Sequence, residues 1–243
     1  MSTRSLFCLA ICATVLTGCD KDDETSTTPN DGQTVNPVGA LDRGAVLVTA
    51  TVSTAPPVTV PGVPAFDITL DVPVALFYDG GTLVDAGEVS IDGQALGKQG
   101  NTYTIAPDFA NPSTALVDYE DRTWSVSGGG SVPAIDATAS RPQPSLGTVT
   151  AESEVVTGTP YTVSVSAITG ADSVYYILGG VVKRFGGSTR TATFSADDIA
   201  RAQSQGGQTV VQVAAFNTEE RRIGDFPVFL ICEAVNNKSV SIN

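Results

Sequence analysis

Histidine is absent from this chain of 243 residues, and its absence excludes most catalytic sites that a sequence can reveal. Without an imidazole there is no Ser-His-Asp triad, no Cys-His pair and no zinc held by histidine. Lysine occurs only four times and never in a Ser-x-x-Lys frame, and no glycine-rich phosphate loop carries Lys-Ser or Lys-Thr. Carboxylate chemistry remains, because any acidic chain offers pairs of Asp or Glu. We therefore assign no catalytic residue and expect no enzyme, with a carboxylate-dependent hydrolase as the alternative.

Basic side chains are also scarce. Against 26 Asp and Glu the chain has 13 Lys and Arg, which gives a net charge of -13. Such a negative field makes nucleic acid a poor partner. Charged residues are only 16% of the chain, below the roughly 25% of ordinary soluble domains, so Ser, Thr, Gly and Asn must cover much of the surface. This composition is typical of an exported protein.

Long apolar runs are missing, apart from one near the N-terminus. Arg4 precedes a mostly apolar stretch at residues 6–16, as in a secretory signal, whereas a transmembrane helix needs about 20 apolar residues. The stretch ends in Leu16-Thr17-Gly18-Cys19, which resembles the lipobox of bacterial lipoproteins. The resemblance implies that residues 1–18 are a signal peptide and that a lipid on Cys19 anchors the protein in the membrane. The expected location is the outer membrane of the cell envelope, facing either the surface or the periplasm.

The segment 19–41 is predicted to be a flexible acidic tether. It is rich in Asp, Thr, Ser, Asn and Gly, and Pro29 and Pro37 interrupt any helix. A flexible coil of about 22 residues reaches roughly 25 Å. The run Asp20-Lys21-Asp22-Asp23-Glu24 resembles the export signal of surface-exposed lipoproteins in one large Gram-negative group, and an ordinary solvated charge run is the equal alternative.

Cysteine usage excludes an internal disulfide bond in the mature protein. Cys8 and Cys12 leave with the signal peptide and lipid occupies Cys19, so Cys232 is the one remaining thiol. It ends the continuous apolar run 228–232, which is typical of a strand covered on both faces. With no histidine to polarise it, Cys232 is interpreted as a buried core residue.

Residues 42–137 show the period of two that half-buried strands have. Val46, Val48 and Val52 share one face, and Asp92-Gly93 is a hairpin signal. About seven short strands, with turns every 8 to 12 residues and no helical stretch, predict an antiparallel β-sandwich.

After a proline-containing linker at 138–144, residues 145–243 repeat the pattern. Ser195 and Asp198 form a capping box that predicts one short helix. The last strands are expected at 209–217, 222–235 and 239–242, with the charges of residues 219–222 at a hairpin tip.

The spacing of the strands over residues 40–243 resembles that of the immunoglobulin-like domains repeated in bacterial surface proteins. The expected fold class is therefore all-β, with two tandem antiparallel sandwiches and one short helix in the second.

Acidic side chains supply the candidates for a metal site. Asp118, Glu120 and Asp121 cluster in an expected loop and offer carboxylate oxygens to Ca²⁺, with Asp79 and Asp85 as a weaker pair. The cluster lacks the alternating ladder of a dedicated calcium loop, so a solvated acidic turn is the favoured interpretation and no cofactor is assigned.

Aromatic rings supply the candidates for ligand binding, because sugars and peptides stack on exposed rings. Trp124 is the only tryptophan; it alternates in phase with Val126, which favours a core position over a sugar platform. Tyr175 and Tyr176 are adjacent on a strand and must face opposite sides, so we expect one in the core and one exposed. Trp124 and Tyr176 are the two candidates.

Three functions are compatible with these features. The first is a lipid-anchored, non-enzymatic envelope protein that acts as a spacer or adhesion surface for other envelope or extracellular proteins. The second is an accessory lipoprotein that binds polysaccharide at the surface. The third is the hydrolase mentioned above. A groove with an exposed Trp124 favours the second, converging carboxylates in a deep cleft favour the third, and a flat acidic surface favours the first.

Overall fold

The computed structural model describes residues 41–54, 68–105, 122–203 and 208–243. The signal peptide, Cys19, the tether to residue 40 and a strand expected at 116–119 lie outside the described residues.

Before residue 140 the strands are β1 (Gly44–Thr54), β2 (Ile68–Asp79), β3 (Thr82–Leu83), β4 (Val89–Ile91), β5 (Gln94–Ala95), β6 (Gly97–Gln99), β7 (Thr102–Thr104), β8 (Thr123–Val126) and β9 (Ile135–Thr138). After it they are β10 (Ser145–Leu146), β11 (Val149–Ala151), β12 (Glu154–Val155), β13 (Tyr161–Val165), β14 (Ile168–Thr169), β15 (Ser173–Leu178), β16 (Val181–Gly186), β17 (Thr191–Phe194), β18 (Gln208–Ile223) and β19 (Phe226–Ile242). One helix, α1 (Ala196–Gln203), lies between β17 and β18, so the prediction of a mostly β fold with a short helix is confirmed.

One long sheet runs through both halves of the chain. Its strands follow the order β16-β15-β18-β19-β1-β2-β7-β6, with β12 beside β19 and β3 beside β2. The pairing that joins the halves is parallel, between β1 and β19, and it runs from Ala45 opposite Val228 to Thr54 opposite Asn237. Because β2 pairs with the other edge of β1, the N-terminal strands continue the sheet that the C-terminal strands begin.

The hairpin of β18 and β19 is much longer than the sequence pattern indicated. The two strands have 16 and 17 residues, against the usual 3 to 10, and they turn at Gly224-Asp225. The predictions of a tip at 219–222 and of a break before residue 239 are therefore wrong. Glu219 pairs with Arg221 at 2.6 Å and Glu220 with Arg222 at 3.0 Å. Residues two apart share one face of a strand, so these charges neutralise each other and the strand continues through them.

In the part of the chain that the structure describes, three smaller sheets accompany the long sheet. They have the orders β5-β4-β8-β9, β11-β13-β17 and β10-β14. The first core contains Leu47, Phe77, Trp124 and Leu230, and the second contains Val163, Phe194, Val213 and Val240. Strand β19 supplies side chains to both cores: Phe226, Val228, Leu230 and Cys232 to the first, and Val240 and Ile242 to the second. Both cores thus lie on one face of the long sheet, because these positions are all an even number of residues apart.

The other face of the long sheet is also buried. Val46, Leu76, Tyr175, Phe216 and Ile231 form a third apolar cluster that draws on strands from both halves. Tyr175 and Phe216 meet edge to face, with ring centroids 4.4 Å apart. The long sheet is therefore packed on both faces along β1, β15, β18 and β19. In these strands, alternation of apolar and polar residues cannot show which face of the sheet is exposed to solvent, because neither face is.

The linker expected at 138–144 lies against the long sheet. Hydrogen bonds hold it against the long sheet: the main-chain N–H and the hydroxyl of Ser140 donate to Glu219 Oε2 at 2.9 and 2.7 Å, and Gln143 Nε2 donates to the carbonyl of Glu233. Buried Asn217 donates through Nδ2 to the carbonyls of Pro142, at 2.8 Å, and Gly170. The small sheets fall on either side of the expected boundary, but the long sheet crosses it.

Cys232 lies under this linker with 1% of its surface exposed, which confirms a buried thiol. Its Sγ donates to the carbonyl of Arg141 and accepts from Thr49 Oγ1, both at 3.7 Å. The described residues include no helix that is long and apolar enough to cross a membrane.

Helix α1 begins at the capping box that the sequence predicted. The Asp198 N–H donates to Ser195 Oγ at 3.2 Å, and the Ser195 N–H donates to Asp198 Oδ2 at 2.8 Å. Ile199 and Ala202 are buried against the second core. The helix therefore covers part of the second core.

Candidate functional site

Neither of the aromatic candidates offers its ring to a ligand. Trp124 is 1% exposed and lies in the first core, and Tyr176 is fully buried in the second. The Tyr176 hydroxyl donates to the carbonyl of Thr189 at 2.8 Å, and burial raises the pKa of Tyr176 to about 12. Tyr175 faces the opposite side and is buried too, so the expectation that one tyrosine is exposed is wrong. The physical reason is that the long sheet is covered on both faces at β15.

The calcium candidates Asp118, Glu120 and Asp121 lie outside the described residues. Of the weaker pair, Asp85 forms an ion pair with Lys98, which occupies one carboxylate oxygen and neutralises its charge. Within the described ranges, no three Asp, Glu, His or Cys side chains come close enough to hold a metal ion.

The structure instead shows a groove at the open edge of the N-terminal half. It has a volume of about 620 Å³ and lies where the chain crosses from β5 of a small sheet to β6 of the long one. Its lining consists of Asp85, Gly87, Glu88, Val89, Ser90, Ala95, Leu96, Lys98, Tyr103, Ser125 and Ser127.

Asp85 is the centre of a hydrogen-bonded cluster in this groove. Its Oδ2 accepts from Lys98 Nζ at 2.5 Å. Its Oδ1 accepts from the Tyr103 hydroxyl at 2.6 Å and from the Gly87 N–H at 2.9 Å. The Tyr103 hydroxyl in turn accepts from the Ala86 N–H at 3.0 Å. These bonds fix the carboxylate in one orientation and connect the loop before β4 to the edge strand β6 and its neighbour β7.

The cluster has the electrostatics of a permanently ionised pair. The hydrogen bond from Lys98, followed by those from Tyr103 and Gly87, holds the pKa of Asp85 well below its usual range. The bond to Asp85 raises the pKa of Lys98. Desolvation, followed by the hydrogen bond to Asp85, raises the pKa of Tyr103. At neutral pH the groove therefore offers a carboxylate and an ammonium group, and Asp85 is not a proton donor.

Close packing of the backbone shapes one wall of the groove. Gly87 has a φ of +79°, and a Cβ atom there would lie 2.4 Å from Ser127 Oγ and 2.8 Å from the carbonyl oxygen of Gly128. Only glycine fits such a contact. The neighbouring Glu88 N–H donates to Ser127 Oγ at 2.8 Å, so the chain before β4 is fastened to the chain after β8.

Sequence reasoning missed this groove, although it considered Asp85 as a weak calcium ligand. Lys98 follows Asp85 by 13 residues and Ser127 follows Glu88 by 39, and no motif connects them. The only local signal was the run of small residues around the predicted hairpin at Asp92-Gly93.

A second and smaller cavity of about 190 Å³ lies at the tip of the long hairpin. Arg43 lines it, with Nη1 3.2 Å from Asp225 Oδ2 and its guanidinium 5.5 Å from the centre of the Phe226 ring. The charged pair is exposed, and the cavity is one third the size of the groove. The contacts of Arg43 with Asp225 and Phe226 attach the start of β1 to the hairpin tip.

Another ionised cluster joins helix α1 to the sheet. Asp198 is 1% exposed and lies 2.9 Å from Lys183 Nζ on β16, and it also pairs with Arg201. Burial alone would raise the pKa of Asp198, but hydrogen bonds from Lys183, Ser195 and Arg201 lower it to about 2. The carboxylate is buried and both of its oxygens have partners within the protein, so this cluster stabilises the helix and is not accessible to a ligand.

No protein-family model matches the chain, and no curated protein matches it.

Proposed function

We propose that this protein is a lipid-anchored, non-enzymatic component of the bacterial cell envelope whose folded part acts as a rigid spacer and contact surface. The N-terminal sequence supports the anchor: a basic residue, an apolar stretch and the box Leu16-Thr17-Gly18-Cys19 stand in the order that a lipoprotein signal requires. Two acyl chains suffice for stable anchoring, at about 0.8 kcal/mol for each buried CH₂.

One observation of the fold carries the spacer role: a single strand, β19, contributes to the cores of both halves. A strand of 17 residues spans about 55 Å. Bending the molecule between its halves would break the pairing of β19 with β1 and β18. The linker would also lose the hydrogen bonds that Asn217, Glu219 and Gln143 make with it. The geometry thus favours one rigid unit over two domains joined by a flexible linker.

The arrangement also supports a finer proposal about the fold. Each half places a small antiparallel sheet over one face of the long sheet, as two immunoglobulin-like sandwiches would if they shared their second sheet. We propose that the tandem modules are fused in this way.

The groove does not favour a hydrolase. A glycosidase needs one carboxylic acid with a raised pKa beside a second carboxylate. In the groove, Lys98 keeps Asp85 ionised, and Glu88 is exposed to solvent. A binding role makes use of this preformed ion pair without requiring proton transfer.

Metabolic labelling tests the anchor. Cells that express the full chain are fed an alkyne-modified palmitate, and we expect label on the mature protein and a mass that shows loss of residues 1–18. Cys19→Ala should abolish both labelling and cleavage, whereas Cys232→Ala, a matched change of a buried thiol, should leave both intact. Recovery of the unlabelled precursor in the cytosol would contradict the proposal. Protease treatment of intact cells then decides between the surface and the periplasm.

A further inference from the structure

We propose that the groove around Asp85 and Lys98 is a binding site for a neutral saccharide. This inference goes beyond the role of a spacer. It does not depend on the lipid anchor, because the groove consists only of residues in the folded N-terminal half.

The size of the groove suits one or a few sugar rings. Its volume of about 620 Å³ lies inside the range of roughly 300 to 1,000 Å³ that small-molecule sites occupy. Gly87, Ala95 and three serines provide little side-chain bulk, and the half-buried Leu96 adds apolar surface for the C–H groups of a ring. The ring of Tyr103 is buried and does not contribute a stacking face.

The ion pair retains both a hydrogen-bond acceptor site and hydrogen-bond donors that no protein group uses. A carboxylate has about four lone-pair sites. Asp85 uses both sites of Oδ1, for Tyr103 and Gly87, and one site of Oδ2, for Lys98. One acceptor site therefore remains on Oδ2, and Lys98 retains two of its three N–H donors. Neighbouring hydroxyls of a sugar match this set, because each hydroxyl both donates and accepts.

Two serine hydroxyls extend the polar surface. Ser90 and Ser125 are cross-strand neighbours on β4 and β8, and both point away from the core. Side chains opposite each other in a sheet lie about 5 Å apart, a distance that one sugar ring bridges. Within the described residues, neither hydroxyl has a hydrogen-bond partner in the protein, so both are available to a ligand.

The charges favour a neutral ligand over a charged one. An amine or a carboxylate of the ligand would have to displace Lys98 or Asp85 from a pair that is already formed at 2.5 Å. Residues 42–137 contain twelve acidic and three basic residues, so their field repels anionic sugars. Glu88 adds one further negative charge to the groove, which makes a basic peptide the competitor that the experiment has to include.

The test uses the purified full-length mature protein and soluble probes. Gluco-, manno-, galacto- and xylo-oligosaccharides of two to six units are screened by saturation-transfer NMR and titrated by calorimetry, beside trilysine and trigalacturonate. We expect at least one neutral series to bind with a Kd of about 1 mM or tighter, and neither charged probe to bind as well. No binding of any neutral oligosaccharide at about 10 mM, or tighter binding of trilysine, would overturn the proposal.

Variants locate the site. The double change Ser90→Val and Ser125→Val replaces two outward-facing hydroxyls with residues that favour strands, and it should weaken binding at least about tenfold with the fold preserved. Lys98→Met should also weaken binding, by removal of two donors.

The matched control is Thr162→Val with Thr193→Val, an exposed cross-strand pair on the C-terminal half, which should change binding less than about twofold. Equal loss in the control, or unchanged binding in both groove variants, would contradict this site. Because binding is measured in solution, its failure leaves the anchoring proposal untouched.

Discussion

The N-terminal and C-terminal halves cover the same face of the long sheet with different elements. The C-terminal half uses the sheet β11-β13-β17, the pair β10-β14 and helix α1, and buried Asp198 fastens the helix to Lys183. Among its described residues, the N-terminal half uses only the sheet β5-β4-β8-β9, and its edge is open at the groove. Its ion pair, between Asp85 and Lys98, is partly exposed, with side-chain exposures of 61% and 37%. Similar pairs thus serve different purposes: the buried one closes a core, and the exposed one faces solvent and can meet a ligand.

The two halves also differ in net charge. Residues 145–243 have nine acidic and seven basic residues and are nearly balanced, whereas residues 42–137 have twelve and three. A cluster such as Asp198 with Lys183 and Arg201 needs local cations, and the C-terminal half supplies them. The acidic excess of the N-terminal half creates a negative field that repels anions.

The largest expected effect tests whether the two halves are one cooperative unit. Phe194→Ala removes a fully buried ring from the second core and should destabilise the protein by about 3 to 5 kcal/mol. Trp124 is the only tryptophan and lies in the first core, so its fluorescence reports on the other half. Because β19 belongs to both cores, we expect the urea midpoint of Trp124 fluorescence to fall together with that of far-UV circular dichroism.

The control for this prediction is Thr193→Ala, an exposed position on the same strand, which should shift both midpoints only slightly. A Trp124 transition that stays in place while the circular dichroism of Phe194→Ala splits into two steps would show that the halves unfold independently.

A smaller effect is expected from the buried carboxylate of the C-terminal half. Asp198 has a pKa of about 2 in the folded protein, against 3.8 for the free side chain. A lowered pKa stabilises the folded state above pH 4, and this contribution is lost as the pH falls towards 2. The shift corresponds to about 2 kcal/mol, and breaking a buried pair costs a similar amount or more. Asp198→Asn should therefore lower the free energy of unfolding by about 2 to 3 kcal/mol at pH 7.

The same variant should also have a flatter dependence of stability on pH between 4 and 2, as measured by urea unfolding at several pH values. Asp197→Asn is the control, because Asp197 is the adjacent acidic residue in the first turn of α1 and is not part of the buried pair. If Asp198→Asn and Asp197→Asn gave the same loss at pH 7, the ion pair with Lys183 would not be the source of the stability.

The smallest effect on stability is expected in the N-terminal half. Lys98→Met breaks an exposed ion pair, and such pairs contribute little to stability because solvent screens them. The pKa of Asp85 should nevertheless rise clearly towards its usual range, because the hydrogen bond from Lys98 is the main cause of its depression. Carboxyl-detected NMR titration measures this pKa directly. An unchanged pKa would mean that Tyr103 and Gly87 alone hold the carboxylate ionised.

Local features of the chain were predictable because they depend on residues that are close in sequence. The alternation of Val46, Val48 and Val52 indicated β1, and the capping box of Ser195 and Asp198 indicated the start of α1. The burial of Cys232 followed from a continuous apolar run. In each case a period or a short motif is sufficient, since neighbouring residues decide the conformation.

The groove and the exposure of particular rings could not be predicted in this way. The sequence pattern required Tyr175 and Tyr176 to face opposite sides, which they do, but it did not show that both sides are covered. The lining of the groove comes from segments up to about 40 residues apart, between Asp85 and Ser127. No periodicity connects such positions, because their contact depends on how the sheets pack.

The sequence by itself determined that the chain is rich in strands, that it has no imidazole chemistry, and where most of its strands and its helix lie. Only the tertiary structure decided that β1 pairs with β19, some 180 residues later, and so joined two expected sandwiches into one sheet. Strands pair through backbone hydrogen bonds, which are the same for nearly every residue type. The choice of partner strand therefore depends on how the side chains on both faces of the sheet are buried, and not on any local sequence pattern.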